Sequence, residues 1–570
     1  MSAALFLLLL LPAAASADPY PRQPGVDIEH YVFRLDLFDD TDEIRGTATV
    51  RVRFAAGLNA FELDLASADG EQGMTVAEVT LGGEPVAWTH RGNRLRITLP
   101  RAARAAELMA FDITYRGVPA TGLFIGNNKH GERTFFGLNW PDRAREWLPM
   151  IDHPYDKATN EFIVTAPDHY QVVANGLLLE ETDIADGRRL SHWRNGVPIA
   201  SWLTAIGVAR FAAREFGTVR GIPLQTWVFP QDRENGIITF EEPVRQSIEF
   251  FGENIGPYPY EKLGNVQAAG LGGGTEKASV IMYGEDAVAA RPNTGLVAHE
   301  IAHQWWGNAV SVADWDHIWL SEGFATYFTH LFYEHYAGRD AFVSRLTGDR
   351  PRIMDTERAS LGSTVVHNDL TDIRSGTLSP SRIIYQKGGW VLHMLRGQVG
   401  TDTFWSAIRD YYARYRDGNV VTDDLQRVFE EHSGQDLAWF FEQWTRRPVS
   451  PTVRGTWRYD SSANRIEIDL AQSFDVTAPP APAGGAGQRQ RAGGAAPPPD
   501  PALMAQISAG PAFRLPLEVG IRSASGAALR VETIVFDQRQ QHFTIASDEA
   551  PVQVILDPNV WILADFSIQQ

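Results

Sequence analysis

The stretch Val297-Ala298-His299-Glu300-Ile301-Ala302-His303, followed by Glu322 in Trp319-Leu320-Ser321-Glu322-Gly323-Phe324-Ala325, decides how this chain is read. Pro292-Asn293-Thr294 supplies a helix start and Gly307 a stop, so both histidines fall on one helix. There they stand one turn apart, with Cβ atoms ~5–6 Å from each other. Imidazoles so spaced converge on one zinc ion at ~2.0–2.1 Å. With His299 as origin, His303 lies at about 40° around the helix and Glu300 at about 100°. Glu300 therefore flanks the ligands, beside the place where a metal-bound water sits, which is the place for a general base. A zinc site needs a third protein ligand, and Glu322 is suited to supply it. It opens a second helix whose apolar face is Phe324, Phe328, Leu331 and Phe332, and packing the two helices together brings its carboxylate to the histidine pair. Val297, Ala298, Ile301 and Ala302 half-bury the histidines and leave them in need of partners. One Zn2+ per chain follows, with His299, His303 and Glu322 as ligands.

Outward from this segment the texture of the sequence changes twice. From about Glu241 to Trp444 apolar residues recur at helical spacing. Before it, short alternating runs such as His30–Leu37 and Thr47–Phe54 are separated by turn residues, as in an antiparallel β domain. After Pro448 short strands return, at Arg465–Leu470, Phe513–Val519 and Val552–Leu556. The reading is a multidomain α+β protein. It has an N-terminal antiparallel β domain over 18–214, a mainly helical catalytic domain over 215–447 and a C-terminal β-sandwich over 448–570. Residues 477–501 are rich in Ala, Pro, Gly, Gln and Arg without periodicity and read as a disordered insertion in the last domain.

Length and composition set limits. A chain of 570 residues exceeds one ordinary core. A formal charge of −19 argues against nucleic acid or an anionic membrane as partner. The absence of cysteine removes disulfides and thiolate ligands, so a metal must be held by nitrogen and oxygen. Leu5 to Leu11 is an apolar run too short to span a bilayer, and Ala15-Ser16-Ala17 is an A-x-A cleavage site. Residues 1–17 thus read as a signal peptide cleaved after Ala17, with a secreted or periplasmic product. No later segment reaches the ~18 apolar residues of a transmembrane helix, so stable membrane insertion after cleavage is not expected.

The H-E-I-A-H run, eighteen intervening residues and then Glu322 resemble the gluzincin aminopeptidases, the family of alanyl aminopeptidase and leukotriene-A hydrolase. Trp315–Ala325 looks like that family's W-L-N-E-G-F-A block, with Ser321 in place of Asn. Tyr385-Gln386-Lys387-Gly388 looks like its Y-x-K-G block, and Ala144–Pro154 resembles an A-R-x-x-F-P-C-x-D-E-P block of its N-terminal domain, with Met150 replacing Cys. The likeness runs from about His30 to Trp444. It implies a thermolysin-like catalytic domain, removal of N-terminal residues from peptides bearing a free N-terminus, and a catalytic Tyr385 that donates to the developing oxyanion. On spacing alone Tyr385 also suits the core, since Ile383, Ile384, Val391 and Leu392 flank it.

One block departs from the family pattern. Where relatives carry G-x-M-E-N, this chain has Gly273-Gly274-Thr275-Glu276-Lys277. Gly273 and Glu276 align, so the resemblance implies that Glu276 grips the substrate α-amine. Lys277 either opposes a bound ammonium or points away and pairs elsewhere. The run Gly272-Gly273-Gly274 permits close approach of a peptide, which pairs here as an added strand. Many members of the family carry a large helical C-terminal domain over the active site; none is expected after the second β segment here, and a more open cleft is the expectation. Two other readings stay open at this point: a zinc endopeptidase, if Lys277 disables the amine anchor, and a peptide-binding protein without turnover.

Overall fold

Residues 18–366, 380–476, 500–523, 526 and 528–570 are described by the computed structural model. The proposed signal segment 1–17 lies outside them, as does most of the low-complexity stretch, 477–499. The last two residues of that stretch are ordered differently from the expectation. Asp500 caps, and Pro501 opens, a helix at Pro501–Ala509, and the Asp500 carboxylate accepts the Ala502 amide at 2.9 Å.

The N-terminal alternation folds into an eight-stranded sheet. Ile44–Phe54 buries every second residue, as the period of two requires, and Val26–Asp36 does so on either side of a bulge at Ile28/His30. All its pairs are antiparallel except one: Val26–Asp36 runs parallel to Lys157–Pro167, with Phe33 opposite Phe162. The sequence alternation is blind to this, because the side-chain period is the same for either direction. Smaller sheets of four and three strands pack beside it, and its apolar core around Phe33, Phe54, Phe111 and Trp147 continues to Val266 and Met282 beyond the region.

A five-stranded sheet opens the middle region, in the order Ala212–Val219, Ile222–Val228, Leu263–Ala268, Val280–Gly284, Gly274–Thr275. The short strand Gly274–Thr275 is its edge. Helices follow: α1 (Arg233–Asn254), α2 (Thr294–Ala302), α3 (Trp319–Ala337) and α4 (Arg339–Ala359). A five-residue π-helical turn, Ile383–Lys387, runs into a helix at Gly388–Val399. Among the described residues no helix is long and apolar enough to cross a membrane.

The C-terminal strands form two sheets, of four and three strands. Their apolar faces do not enclose a separate core. One continuous cluster joins Trp444, Phe513, Leu517 and Leu563 to Phe324, Phe328 and Trp390 of the helical region. The change of texture near Pro448 marks a change of secondary structure, while the packing runs straight across it.

Candidate active site

The helix predicted around the two histidines is α2, only nine residues long. Its Val297, Ala298, Ile301 and Ala302 are fully buried and fix its roll. Trp306, just beyond its end, packs against Phe324 and Phe328 of α3 with ring centroids 4.9 and 5.2 Å away. Burying aromatic side chains of this size contributes on the order of 1.5–3 kcal/mol each, and this contact draws the start of α3 against the end of α2. Glu322 sits in the first turn of α3 and faces both histidines.

The three candidate ligand atoms form a small triangle. His299 Nε2 and His303 Nε2 are 3.2 Å apart, and Glu322 Oε2 lies 3.5 and 3.2 Å from them. Tetrahedral bonds of ~2.0–2.1 Å separate ligand atoms by about 3.3 Å, so the triangle has the dimensions of a zinc face. Glu322 Oε2 is buried and receives no hydrogen bond, although it points at two imidazoles. A buried carboxylate oxygen left in this state lacks a partner, and a cation at the centre of the triangle would supply one. Among the described residues this is the one cluster of three or more such groups close enough to share an ion.

The surroundings orient the ligands. His303 Nδ1 donates to the Trp306 carbonyl at 3.1 Å, which turns Nε2 toward the cluster. Ser321 Oγ lies 3.2 Å from the same Nδ1. At Gly307, with φ +95°, an added Cβ would fall 2.0 Å from Ser321 Oγ, so glycine is required there for space as well as conformation. Burial opposes ionisation of Glu322, but the imidazoles outweigh it and hold its carboxyl at about 2. Burial likewise opposes charge on His303, yet Glu322 pushes it up to about 10. Burial raises Glu300 well above the carboxylate range, and its neighbours Glu276 and Glu322 add to the effect. Three buried carboxylates thus share one pocket, an arrangement that suits a divalent cation.

Glu300 lies beside the triangle, 4% exposed, and its seat is made by glycine: a Cβ at Gly274 would come within 2.4 Å of Glu300 Oε1. The edge strand Gly274–Thr275 therefore borders the carboxylate directly. Gly273 adopts φ +74°, and nothing lies within 4 Å of where its Cβ would be. Glu276 follows at the end of the strand, buried, with its charge felt by His299, Glu300 and Tyr385. Its backbone is tied to the segment that follows α2, because Gln304 Nε2 and Asn308 Nδ2 donate to the Glu276 carbonyl at 3.2 and 2.5 Å.

Lys277 points away. Its Nζ donates to the Trp202 carbonyl of the N-terminal region, and burial pushes it down to about 8 against the pull of Glu276, Asp152 and Glu300. Tyr385 comes from the π turn, half-buried, and stacks on His299 at 5.9 Å between centroids with 15° between planes. Burial, then the Glu322 carboxylate, keeps its hydroxyl protonated far above its ordinary value. Its height over the cluster is set by two glycines. Gly323 follows Glu322, Gly388 follows the π turn, and a Cβ on Gly323 would lie 2.8 Å from the Gly388 backbone.

All eight residues singled out from sequence, Gly273, Gly274, Glu276, His299, Glu300, His303, Glu322 and Tyr385, therefore meet in one place. The supporting residues Gln304, Asn308 and Ser321 were not identified from sequence. Each is an ordinary polar residue in a buried position, and only its partner gives it a role. His317, five residues before Glu322, does not join the cluster: its Nδ1 lies 2.8 Å from Thr422 Oγ1.

Comparison with known proteins agrees with this geometry. Residues 27–203 match the model for the Peptidase M1 N-terminal domain, and residues 242–444 match that for the Peptidase family M1 domain. Tricorn protease-interacting factor F2 of Thermoplasma acidophilum is 26% identical over 470 residues, 79% of this chain and 56% of that protein. Aminopeptidase A of Gloydius brevicauda is 27% identical over 58% of this chain and 36% of its own length. The chain thus spans about half or less of these relatives. An M1 zinc metallopeptidase from Deinococcus radiodurans superimposes with a TM-score of 0.65 at 24% identity, covering 76% of this chain and 96% of that one. Legionella pneumophila aminopeptidase A superimposes at 0.76 and 16% identity, covering 97% of this chain and 60% of that one. These two likenesses speak to fold, while the two family models and the ligand triangle speak to lineage: the chain belongs to peptidase family M1.

Proposed function

We propose that this protein is a zinc-dependent aminopeptidase that binds one zinc ion per chain and removes N-terminal residues from peptides. The observation that carries the reading is Glu276. A buried carboxylate stands at the end of an edge strand, its backbone tied through Gln304 and Asn308 to the segment just after His303. Bound zinc would bring the pKa of its water toward ~7 and polarise the scissile carbonyl.

The chain's own groups do the rest. An extended peptide adds to the free edge of Gly274–Thr275, where the glycines let its backbone approach. Glu276 receives the α-ammonium, which fixes the register so that the first peptide bond faces the cluster. Glu300, seated against Gly274, takes a proton from the attacking water and delivers it to the leaving amine. The Tyr385 hydroxyl, held protonated, donates to the oxygen on which charge develops. Lys277 bonds the Trp202 carbonyl and leaves the amine anchor free, which favours the exopeptidase over the endopeptidase reading. A variant of the Deinococcus radiodurans metallopeptidase has been crystallised with a Tyr-Ser-Ala substrate, which makes short peptides with a free amine the natural first probes.

Export to the periplasm or medium belongs to the same reading and rests on Leu5–Leu11 and Ala15-Ser16-Ala17. N-terminal sequencing of the exported chain tests it, with Asp18 as the expected first residue. For the activity, release of free amino acid from aminoacyl-arylamides and tripeptides is measured with and without chelator. Activity must fall with chelation and return with zinc, and N-acetylated peptides must resist cleavage. Equal cleavage of acetylated and free peptides would overturn the aminopeptidase reading.

A further inference from the structure

A buried ion pair stands outside the site, behind the turn that carries Tyr385. Lys387 and Glu357 are each 1% exposed, and Lys387 Nζ lies 2.8 Å from Glu357 Oε1. The remaining donors of the ammonium go to the carbonyls of Arg447 and Pro448, at 3.2 and 3.3 Å. Glu357 Oε1 accepts from Ser450 Oγ at 2.8 Å, and Oε2 from the Ser450 amide at 2.9 Å. Lys387 closes the π turn Ile383–Lys387, Glu357 lies on α4, and residues 447–450 lead into the C-terminal strand Thr452–Asp460. Three separate parts of the molecule thus meet at one dry, fully partnered pair.

Such a pair adds little net stability. Removing two charges from water costs about what their attraction returns, and well-packed apolar residues often do as well. Directional geometry is what an apolar substitute would not supply. The residue after the turn, Gly388, packs closely on Gly323 of α3. A π-helical turn is a sparsely used conformation that often marks a functional position, and here its last residue and the glycine after it are both held by contacts from other elements.

We propose that Lys387 and Glu357 are positioning residues: their ion pair, anchored by the 447–450 segment, holds Tyr385 over the His299/Glu322 pair and couples that placement to docking of the C-terminal β region. The proposal rests on the aminopeptidase reading and adds to it residues that touch neither substrate nor metal.

The test uses the full chain in four forms: wild type, Lys387→Met, Tyr385→Phe, and both changes together. Zinc content, kcat and KM are read on an aminoacyl-arylamide. Lys387→Met should lower kcat at least roughly 10-fold and at most by the ~10²–10³ that loss of one oxyanion donor costs, with KM and zinc content unchanged. In the Tyr385→Phe background the same change should cost less than about 2-fold, because the group it positions is already gone. A crystal structure of Lys387→Met should show the Tyr385 ring shifted off its stack on His299. Equal losses in both backgrounds, or wild-type kcat in Lys387→Met, would overturn the proposal while leaving the aminopeptidase reading intact. An inactive, zinc-loaded wild type would overturn both. If Lys387→Met does not fold because Glu357 is left unpaired, Glu357→Gln/Lys387→Met removes both charges, and the same comparison decides.

Discussion

The two walls of the cleft are built differently. The metal wall, His299, His303 and Glu322, comes from two consecutive helices whose spacing is written in 24 contiguous residues. The opposing wall gathers Gly274 and Glu276 from a sheet edge and Tyr385 from a π turn more than a hundred residues away. Hydrogen bonds from Gln304 and Asn308 and a glycine-to-glycine contact join the walls. The metal wall is therefore local and self-sufficient, whereas the second wall exists only once the domain is packed. Substitutions in the second wall should leave metal binding intact, and each prediction below tests that separation.

Glu300→Gln gives the largest effect. A general acid/base contributes ~10²–10⁴ in rate, and kcat should fall within that range while zinc stays bound. Glu300 lies on the metal-bearing helix without being a ligand, and zinc loss in this variant would show that the metal site depends on it. Tyr385→Phe comes next, with a loss of ~10²–10³ in kcat, about 2.7–4 kcal/mol, and KM little changed. Stopped-flow and zinc analysis on one preparation separate the two quantities. Glu276→Gln should act mainly on KM. A charge-assisted hydrogen bond is worth ~1.5–3 kcal/mol, so KM for a free-amine substrate should rise about 10- to 100-fold. The preference over the N-acetylated analogue should shrink by the same factor.

How much of this was legible beforehand follows the same division. The ligand set required only helical periodicity and the choice of His and Glu, so the sequence placed it without reference to any fold. The N-terminal alternation gave strands but not the parallel pairing of Val26–Asp36 with Lys157–Pro167, which depends on chain path rather than pattern. Texture marked a boundary near Pro448 but did not reveal that Trp444 and Phe513 pack together across it, 4.9 Å between ring centroids. Tyr385 and Glu276 drew their roles from family resemblance, since nothing local distinguishes them from a core tyrosine and a loop carboxylate. Gln304, Ser321 and the Glu357–Lys387 pair stayed hidden because a buried polar residue means nothing until its partner is known.

The smallest effect concerns the residue at which this chain departs from its family. Lys277 sits beside Glu276, but its ammonium is committed to the Trp202 carbonyl. Its charge still offsets part of the Glu276 field, since the two interact within the buried pocket. A neighbouring cation therefore weakens the attraction of Glu276 for a substrate ammonium. In Lys277→Asn the shorter, neutral side chain removes that opposition, and KM for free-amine substrates should fall by roughly 3-fold, an electrostatic effect at modest distance. The Trp202 carbonyl loses its donor at the same time, and a buried acceptor left unpaired costs about 1–3 kcal/mol. The variant should thus bind its substrate more tightly and unfold at a lower temperature. Steady-state kinetics and thermal denaturation read these opposite signs separately. A rise in KM would instead mean that Lys277 supports the shape of the Glu276 turn, and that the second wall depends on the N-terminal region for its form as well as its stability.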